Sequence, residues 1–277
     1  MIVAGCDVGS LTAEAVLLDD GRILAAEIIR VRPRPDQSAR EVMDLALAQA
    51  GLSYSDLSYT VSTGYGRETI SFADHNMSEI SCHGRGAHWL VPSVRTVIDV
   101  GGQDCKAIRV DAGGFLEDFV MNDKCAAGTG RSLELMSQYL GVHYSDLAAL
   151  AAQAERVITI TSQCSIFSEL EIMHYLMEDQ RSADIAAGIC EAMARRVKML
   201  VGRIGVRPDL AISGGVCKNR GVVACLEEML GATFVSFDQD PQIVGALGAA
   251  LFAAERARRA SRGTRASAPA AGNGGGS

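Results

Sequence analysis

The chain has 277 residues, of which 48% are hydrophobic, and it carries a formal net charge of −7 at pH 7. This length and composition allow a large core in one domain of two lobes or in two small domains, and the acidic balance argues against a general nucleic-acid binder. No apolar run approaches the roughly 20 residues of a transmembrane helix. The N-terminus enters a strand-like pattern without a basic segment, so we expect no signal peptide and a cytoplasmic location.

Along the chain, strand-like and helix-like hydrophobic patterns alternate. Short apolar runs predict strands at residues 3–8, 12–18, 22–31, 59–62, 94–100, 106–110, 115–121, 157–161, 210–213 and 232–237. Apolar residues three or four positions apart predict helices at residues 38–50, 77–90, 129–140, 165–178, 182–204, 221–230 and 245–258. Gly84 and Gly86 weaken the second of these helices, whereas Ser182 is a favourable N-cap for the fifth. From Ala260 on, the composition predicts a disordered tail.

Two hairpin-like segments superimpose without a gap when the sequence is shifted by 92 residues. Asp7-Val8-Gly9 then falls on Asp99-Val100-Gly101, and Gly21 falls on Gly113. Two β-hairpins can share a hydrophobic rhythm by chance, but matching Asp and Gly residues at fixed offsets favour a duplicated unit. Two such hairpins facing each other would bring two glycine turns and two carboxylates to one cleft.

The glycine turns have the chemistry of a phosphate site. Backbone N–H groups at Gly9-Ser10 and Gly101-Gly102 can cradle phosphate oxygens, and Asp7 and Asp99 can hold Mg²⁺, mostly through water molecules. A third turn, at Gly214-Gly215, has the flat glycine pair that a base or ribose needs when it lies against the backbone. Each turn alone is a weak signal, and the prediction depends on the three together.

Several segments resemble a known superfamily. The actin, sugar-kinase and heat-shock-chaperone ATPases are similar at Asp7-Val8-Gly9-Ser10, Asp99-Val100-Gly101-Gly102-Gln103-Asp104, Ser213-Gly214-Gly215-Val216 and Gly245-Ala246-Leu247-Gly248-Ala249-Ala250. Activators of 2-hydroxyacyl-CoA dehydratases, and the related ATPase subunits of benzoyl-CoA reductases, are similar at Thr63-Gly64-Tyr65-Gly66-Arg67, Asn122-Asp123-Lys124-Cys125-Ala126-Ala127-Gly128-Thr129-Gly130-Arg131 and Ser162-Gln163-Cys164-Ser165-Ile166-Phe167-Ser168-Glu169. The resemblance covers residues 2–255, and its Asn-Asp-Lys-Cys motif is highly specific to this group.

This resemblance implies an α/β fold with two ribonuclease-H-like lobes of the actin, sugar-kinase and heat-shock-chaperone ATPase type around a nucleotide cleft. Residues 1–96 plus 244–255 would form the first ATPase lobe. Residues 97–243 would form the second lobe and carry the cluster ligands, and residues 256–277 would be a disordered tail.

The resemblance also implies the cofactors ATP, Mg²⁺ and one [4Fe-4S] cluster per homodimer. The implied catalytic residues are Asp7, Asp99, Gln103 and Asp104. The implied nucleotide contacts are Gly9, Ser10, Leu11, Thr12, Ala13, Glu14, Gly101, Gly102, Gly214, Gly215 and Gln242. The implied cluster ligands are Cys125 and Cys164, so that each subunit supplies two thiolates.

The cysteine pattern fits this assignment. Eight cysteines are scattered without any C-x-x-C pair, which argues against a disulfide framework in an intracellular chain. A [4Fe-4S] cluster needs four thiolates, and two cysteines per chain supply four across a two-fold axis. Cys125 and Cys164 both precede predicted helices, whose N-termini favour negative charge. That effect alone makes a cluster a weaker electron donor, so we expect nucleotide state to change the cluster environment or partner docking.

One position departs from the family pattern. Relatives often have Lys where this chain has Glu14, and a carboxylate there would repel phosphate unless Mg²⁺ or water intervenes. Lys106, at the repeat-equivalent position of the second hairpin, can compensate. The five histidines lack metal-binding spacing, and we expect His83 and His88 to lie in the core or at an interface.

These features favour an ATPase of anaerobic metabolism that drives one-electron transfer from the cluster to a 2-hydroxyacyl-CoA dehydratase, with ferredoxin or flavodoxin as electron donor. A subunit of benzoyl-CoA reductase would have the same chemistry inside a larger assembly. Two further alternatives are a small-molecule kinase of the same superfamily without a cluster, and a non-catalytic nucleotide-binding or filament-forming protein. The partner is not encoded in the chain, so the sequence leaves the first two open.

Overall fold

The computed structural model describes residues 1–122, 129–161 and 164–266, whose strands form two sheets. The first sheet has the order β3-β2-β1-β4-β5 and consists of β1 (Ile2–Val8), β2 (Thr12–Asp19), β3 (Arg22–Arg30), β4 (Tyr59–Thr63) and β5 (His75–Asn76). The second has the order β8-β7-β6-β9 and consists of β6 (Thr96–Val100), β7 (Cys105–Val110), β8 (Leu116–Asn122) and β9 (Leu210–Ser213).

Eight α-helices accompany the strands in this part of the chain. They are α1 (Pro35–Ala50), α2 (Glu79–Leu90), α3 (Gly130–Tyr139), α4 (Leu147–Ala151), α5 (Ser165–Met177), α6 (Ser182–Val201), α7 (Arg220–Leu230) and α8 (Val244–Ala266). Among the described residues, no helix is both long and apolar enough to cross a bilayer.

The two sheets share one topology over four strands, and among the described strands β5 of the first sheet has no counterpart in the second. In the first, β1 pairs antiparallel with β2 and parallel with β4. In the second, β6 pairs antiparallel with β7 and parallel with β9. A third antiparallel strand follows each hairpin, as β3 and β8. This duplicated ribonuclease-H-like arrangement confirms the predicted fold class of actin-like and sugar-kinase ATPases.

Both sheets are covered by helices, which is why their inner strands are almost continuously apolar. One face of α1, with Val42, Met43 and Ala46, packs against the first sheet; Ala46 follows Met43 by three residues and Val42 by four. The other face of the same sheet is covered by α8, whose alanines allow close packing. The core of the second sheet is built largely by α6, through residues such as Ile185 and Ile189.

The glycines that weaken the prediction of α2 have a packing role. A Cβ at Gly86 would overlap the backbone carbonyl of Val244, and a Cβ at Gly248 would overlap that of Cys82. The backbones of α2 and α8 are therefore in direct contact. Helix α2 also packs against β6, β7, β8 and β9. It therefore connects α8, which covers the first sheet, to the second sheet.

The strand predicted at residues 157–161 is wrong. Ile158 and Ile160 are buried, as in a strand, and they pack in the core that contains α6. The backbone of the segment bonds to helices and side chains instead of a neighbouring strand. The Ile158 N–H donates to the carbonyl of Asp184, and the Thr159 carbonyl accepts from the Tyr175 hydroxyl.

The strand predicted at residues 232–237 is also wrong, because only Phe234 forms a bridge, to Leu210 of β9. Helix limits differ as well. The first turn of α1 begins at Pro35, a residue preorganised for that position, three residues before the predicted start. The N-cap of α6 is Arg181, so Ser182 is already helical.

The last helix is longer than predicted. We expected it to end at Arg258, but α8 continues to Ala266, so residues 256–266 are helical and do not belong to a tail. Tertiary packing holds residues 256 and 257 outside the predicted tail, because Ala257 is buried in the core of the first sheet and Arg256 contacts His75. The remainder of the predicted tail, residues 267–277, lies outside the described residues.

Candidate functional site

A cavity of about 620 Å³ is lined by residues from both sheets. It brings together most of the predicted catalytic and nucleotide-binding residues, which are far apart in sequence. Those lining it are Asp7, Gly9, Ser10, Leu11, Thr12, Glu14, Asp99, Gly101, Gly102, Gln103, Asp104, Gly214, Gly215 and Gln242. The exception is Ala13, whose side chain is fully buried in the core of the first sheet. Side chains alternate along a strand, so Thr12 and Glu14 face the cavity and Ala13 faces away.

The two hairpins at the cavity have the same local geometry, as the 92-residue repeat predicts. The Gly9 N–H donates to the carbonyl of Thr12 at 2.9 Å, and the Gly101 N–H donates to the carbonyl of Asp104 at 2.9 Å. The strand registers also match, since Asp7 is opposite Glu14 in the first hairpin and Asp99 is opposite Lys106 in the second. The second hairpin thus carries a cation where the first carries a carboxylate.

The structural repeat extends to the parallel strands, which the sequence comparison missed. In the first sheet Asp7 is beside Thr63, and in the second Asp99 is beside Ser213. The next residues, Gly64 and Gly214, have φ values of 84° and 85°, which favour glycine. The spacing between these glycines and the hairpins differs in the two halves, so an ungapped shift cannot detect the match. The Thr-Gly and Ser-Gly pairs were the available signal.

Lys106 is the buried cation of the cavity and is only 2% exposed. Its Nζ lies 2.9 Å from Asp104 Oδ1, 3.2 Å from Asp99 Oδ2 and 3.6 Å from Glu79 Oε2. Burial acts to lower the pKa of Lys106, but the three carboxylates outweigh it and raise the pKa. Burial acts to raise the pKa of Asp99, but His83, Lys106 and Ser213 outweigh it and lower the pKa. This side of the cavity is a compensated ion cluster.

The first hairpin is electrostatically different. Burial raises the pKa of Asp7 to about 6, with His83 acting in the opposite direction. Burial also raises the pKa of Glu14 well above its usual range, and the neighbouring Asp7 adds to this effect. Lys106 is already surrounded by the carboxylates of the second hairpin, so the predicted compensation for Glu14 is weak. The first hairpin therefore favours a proton or an added cation.

Two cavity residues come from α2 and were missed as site residues. Glu79 and His83 are one helical turn apart, so they lie on the same face of α2. We expected His83 in the core or at an interface, and it is buried, but its ring lies between Asp7 and Asp99. The four-residue spacing of an acid and a histidine was the only local signal.

The third predicted turn forms another wall of the cavity. The Gly214 N–H donates to the carbonyl of Pro241 at 3.3 Å, and the Tyr144 hydroxyl donates to the carbonyl of Gly215 at 2.7 Å. A Cβ at Gly215 would lie 3.4 Å from the Gln242 side chain. Gly215 and Gln242, both predicted nucleotide contacts, therefore lie next to each other at the cavity.

The second hairpin is tied to α3 by backbone hydrogen bonds. The Gly130 N–H donates to the carbonyl of Gly101 at 2.9 Å, and the Arg131 N–H donates to that of Gly102 at 2.8 Å. At its other end, α3 contacts α5, where the Tyr139 hydroxyl donates to the carboxylate of Glu169 at 3.1 Å. A continuous path therefore runs from the predicted phosphate turn to α5.

The predicted cluster ligands are both near this path in sequence. Cys164 is half-buried and is the N-cap residue of α5. Cys125 lies outside the described residues, in the segment 123–128 that precedes α3. Five other thiols are buried, and Cys225 is half-buried with a pKa that burial raises. Within the three described ranges, no three His, Cys, Asp or Glu side chains form a group that could hold a metal ion.

A sequence profile of the BadF/BadG/BcrA/BcrD ATPase family matches residues 4–253. The chain belongs to this ATPase family. The match covers both sheets and every residue that lines the cavity. Membership accounts for the duplicated fold and for the glycine turns that converge on one cavity.

Two similar proteins differ in the role that their names give. The chain is 45% identical over 260 residues to the activator of lactoyl-CoA dehydratase from Anaerotignum propionicum, covering 94% of this chain and all of the relative. It is 32% identical over 271 residues to a benzoyl-CoA reductase subunit from Thauera aromatica, covering 94% of this chain and 96% of the relative.

Two solved structures of family members are similar over nearly their whole length. Component A of the (R)-2-hydroxyglutaryl-CoA dehydratase from Acidaminococcus fermentans has a TM-score of 0.89 at 41% identity, with 93% of this chain and 99% of the other covered. The activator of the 2-hydroxyisocaproyl-CoA dehydratase from Clostridium difficile, with bound ADPNP, has a TM-score of 0.90 at 39% identity, with 95% and 98% covered.

Proposed function

We propose that this ATPase-family protein activates a 2-hydroxyacyl-CoA dehydratase by coupling ATP hydrolysis to low-potential one-electron transfer. Two kinds of finding support the proposal. Relatives named as dehydratase activators match the chain over almost its full length. The cavity also collects the glycine turns and carboxylates that a nucleoside triphosphate and its metal ion require.

The observation that carries the coupling is the contact between the second hairpin and α3. Gly130 and Arg131 donate backbone hydrogen bonds to the carbonyls of Gly101 and Gly102. A change at the phosphate turn therefore displaces the first turn of α3, which directly follows the segment containing Cys125. This route is shorter than the covalent one through β7 and β8.

We propose that Cys125 and Cys164 hold one [4Fe-4S] cluster between two copies of the chain. The donor set fits, because the Cys164 thiol is half-buried and stands at a helix N-terminus, where a thiolate is favoured. A stripe of exposed apolar residues follows along α5: Ile166, Phe167, Leu170, Met173 and Met177. A second copy would cover such a stripe. The cluster would supply a one-electron redox centre.

We propose that ATP binds with Mg²⁺ in the cavity, where Asp7 and Asp99 would hold the ion mostly through water. The charge balance of the cavity supports this. Asp7 and Glu14 are buried carboxylates whose raised pKa indicates that added positive charge would be favoured there. Mg²⁺ would supply that charge and neutralise the triphosphate. Gln103 and Asp104, on the second turn, are the remaining proposed catalytic residues.

The finer assignments follow the same proposal. The two lobes would be residues 1–96 plus 244–255 and residues 97–243. The protein would act in the cytoplasm and receive electrons from a ferredoxin or a flavodoxin. The second candidate function, a subunit of a benzoyl-CoA reductase, is favoured by the 32% identity to the Thauera aromatica protein. Isolation as a free homodimer supports an activator, and isolation in a stable larger assembly supports a reductase subunit.

Anaerobic purification followed by iron, sulfide and EPR analysis tests the cluster. We expect four irons per dimer in wild type and loss of the cluster and of the dimer in Cys125→Ser and Cys164→Ser. Cys225→Ser is the matched control, since Cys225 is also half-buried but lies on α7. An iron-free wild-type protein that releases ADP only with a substrate would instead indicate a kinase. An iron-free wild-type protein without any ATP turnover would indicate a non-catalytic nucleotide binder.

Electron transfer is tested separately with a 2-hydroxyacyl-CoA dehydratase as acceptor. The expected result is reduction of the dehydratase that depends on ATP hydrolysis. A redox titration and a dehydratase-binding assay in the ATP-bound, ADP-bound and nucleotide-free states test the coupling. Identical potentials and identical binding in all three states would contradict it.

A further inference from the structure

His83 occupies the space between the two halves of the repeat. It is 7% exposed and reaches the cavity from α2, which belongs to neither hairpin. Its Nδ1 lies 3.2 Å from Ser213 Oγ and 3.3 Å from Asp99 Oδ1. On the other side of the ring, Nε2 lies 3.7 Å from Asp7 Oδ2. One imidazole therefore contacts both repeat-related carboxylates.

The hydrogen bonds around the His83 ring indicate which ring nitrogen carries a proton and how the ring is oriented. The Ser213 hydroxyl donates to Asp99 Oδ1 at 2.9 Å. A serine hydroxyl has one proton to donate, so Ser213 Oγ accepts from His83, and Nδ1 carries a proton. The second ring nitrogen is then directed at Asp7 by the geometry of the imidazole.

The surrounding backbone leaves the ring little freedom. A Cβ at Gly245 would overlap Asp7 Oδ2 and would lie 2.9 Å from His83 Nε2. Glycine at this position is therefore what allows α8, Asp7 and His83 to meet. The direct backbone contact between Gly248 of α8 and Cys82 of α2 fixes the position of α2 relative to α8 at the residue before His83.

We propose that His83 is a positioning residue for ATP hydrolysis that holds Asp7 and Asp99 at a fixed separation across the cavity. The inference depends on the ATP hydrolysis in the proposed function and adds a residue to that site. The two carboxylates belong to different sheets, so their separation is not set by either hairpin. His83 does not need to touch the nucleotide, because it acts through the two carboxylates proposed to hold the Mg²⁺ ion.

Substitutions that remove one contact at a time test this role. In His83→Ala both contacts are lost, and we expect kcat for ATP to fall about 10- to 100-fold, the effect of misplacing reacting groups by roughly 1 Å. The KM for ATP should stay within about threefold, because the residue does not bind substrate directly. In His83→Asn the amide occupies the place of Nδ1 and keeps the contacts at 3.2 and 3.3 Å. It should therefore recover more of kcat than His83→Gln, whose amide occupies the place of Nε2.

His88 supplies the matched control on the same helix. Its Nδ1 faces the carbonyl of Val94 at 3.4 Å, away from the cavity. We expect His88→Asn to retain the wild-type kcat. If His83→Ala does not fold, His83→Asn and Ser213→Ala remain informative, the latter with a kcat loss of roughly 3- to 10-fold from loss of the hydrogen bonds that Ser213 makes with His83 and Asp99.

Three outcomes would overturn the inference. The first is an unchanged kcat in His83→Ala with KM also unchanged, and the second is an unchanged kcat with a raised KM in that variant. The third is a kcat in His83→Asn as low as in His83→Ala. A wild-type protein without ATP turnover would contradict the proposed function and this inference together. Equal turnover in wild type and His83→Ala contradicts the positioning role alone.

Discussion

Substitution of Lys106 by Met removes the cation among three carboxylates while keeping a long, unbranched side chain in its place. The Lys106 side chain is 2% exposed and that of Asp99 is 3% exposed, whereas Asp104 and Glu79 reach solvent. Water can therefore compensate the two outer carboxylates more fully than the buried Asp99 after the substitution. The expected cost arises mainly from the negative charge of Asp99, which among the described residues would keep only His83 and Ser213 as partners.

The magnitude follows from the burial of this pair. Removing one partner of a buried ion pair costs about 3–5 kcal/mol, because the other charge remains buried without compensation. For a protein of this size, such a loss corresponds to a fall in Tm of roughly 10 °C. We therefore expect Lys106→Met to lower the free energy of unfolding at pH 7 by about 3–5 kcal/mol.

The pH dependence of the loss has a defined sign. The pKa of Asp99 is lowered in the folded state, so its stabilising contribution is present above the unfolded pKa of about 3.9 and is lost as pH falls through the folded value. The pKa of Lys106 is raised, so its contribution is present below about 10.5 and is lost as pH rises through the folded value. In the difference between wild type and Lys106→Met, the wild-type contribution of the pair should thus be constant between about pH 4 and pH 10, whereas protonation of the buried Asp99 in the variant should reduce the loss toward the acidic end.

Chemical denaturation without Mg²⁺ or nucleotide measures this difference. Lys218→Met is the control, because Lys218 pairs with Asp240 at 2.6 Å but is 44% exposed. An exposed pair contributes about 0–1 kcal/mol. The double variant Asp99→Asn with Lys106→Met should recover part of the loss by removing the unpaired charge. The reasoning is refuted if Lys106→Met costs no more than Lys218→Met, or if the double variant is no more stable than Lys106→Met.

Three further predictions concern the turns, the first hairpin and the path to α5. Gly214→Ala should destabilise the protein by more than Gly231→Ala, as measured by urea denaturation. Both glycines have a positive φ, and Gly231→Ala should cost about 1 kcal/mol for that reason. Of the two, only Gly214 lies where an added Cβ would overlap the backbone of β6. In the Mg²⁺-free protein, the pKa of Asp7 is raised in the folded state, so the contribution of Asp7 to wild-type stability falls as pH rises from about 4 to 6. Asp7→Asn should therefore be more stable than wild type by about 3 kcal/mol above pH 6 and equally stable below pH 4. Equal pH profiles of the free energy of unfolding in the two proteins would contradict this. Tyr139→Phe, which loses the bond to Glu169, should leave ATP hydrolysis unchanged and lower ATP-dependent dehydratase reduction by up to about tenfold; parallel loss of both activities would contradict a coupling role.

The hairpins and the phosphate turns could be predicted from the sequence because they are local. A strand–turn–strand unit is specified by a period-two apolar pattern and by glycine at the turn. The same residue types at a fixed offset then identify the second copy. This is why Asp7 and Asp99, with the turns that follow them, line one cavity as predicted.

The sequence predictions were wrong where contacts between distant segments override the local hydrophobic pattern. Residues 157–161 have the alternating burial of a strand, but α6 and nearby side chains take their backbone hydrogen bonds. The tail was predicted to begin at residue 256, but Ala257 packs in the core of the first sheet, a contact that composition does not reveal.

The sequence by itself determined the duplicated hairpins, the glycine turns and the residue types of the ATP site, because each depends on neighbours a few positions apart. Only the tertiary structure decided that His83 lies between Asp7 and Asp99. That placement requires α2 to contact α8 backbone to backbone, at glycines more than 150 residues apart in the chain. No local periodicity encodes such a contact, since its free energy depends on packing between segments that meet only in the folded protein.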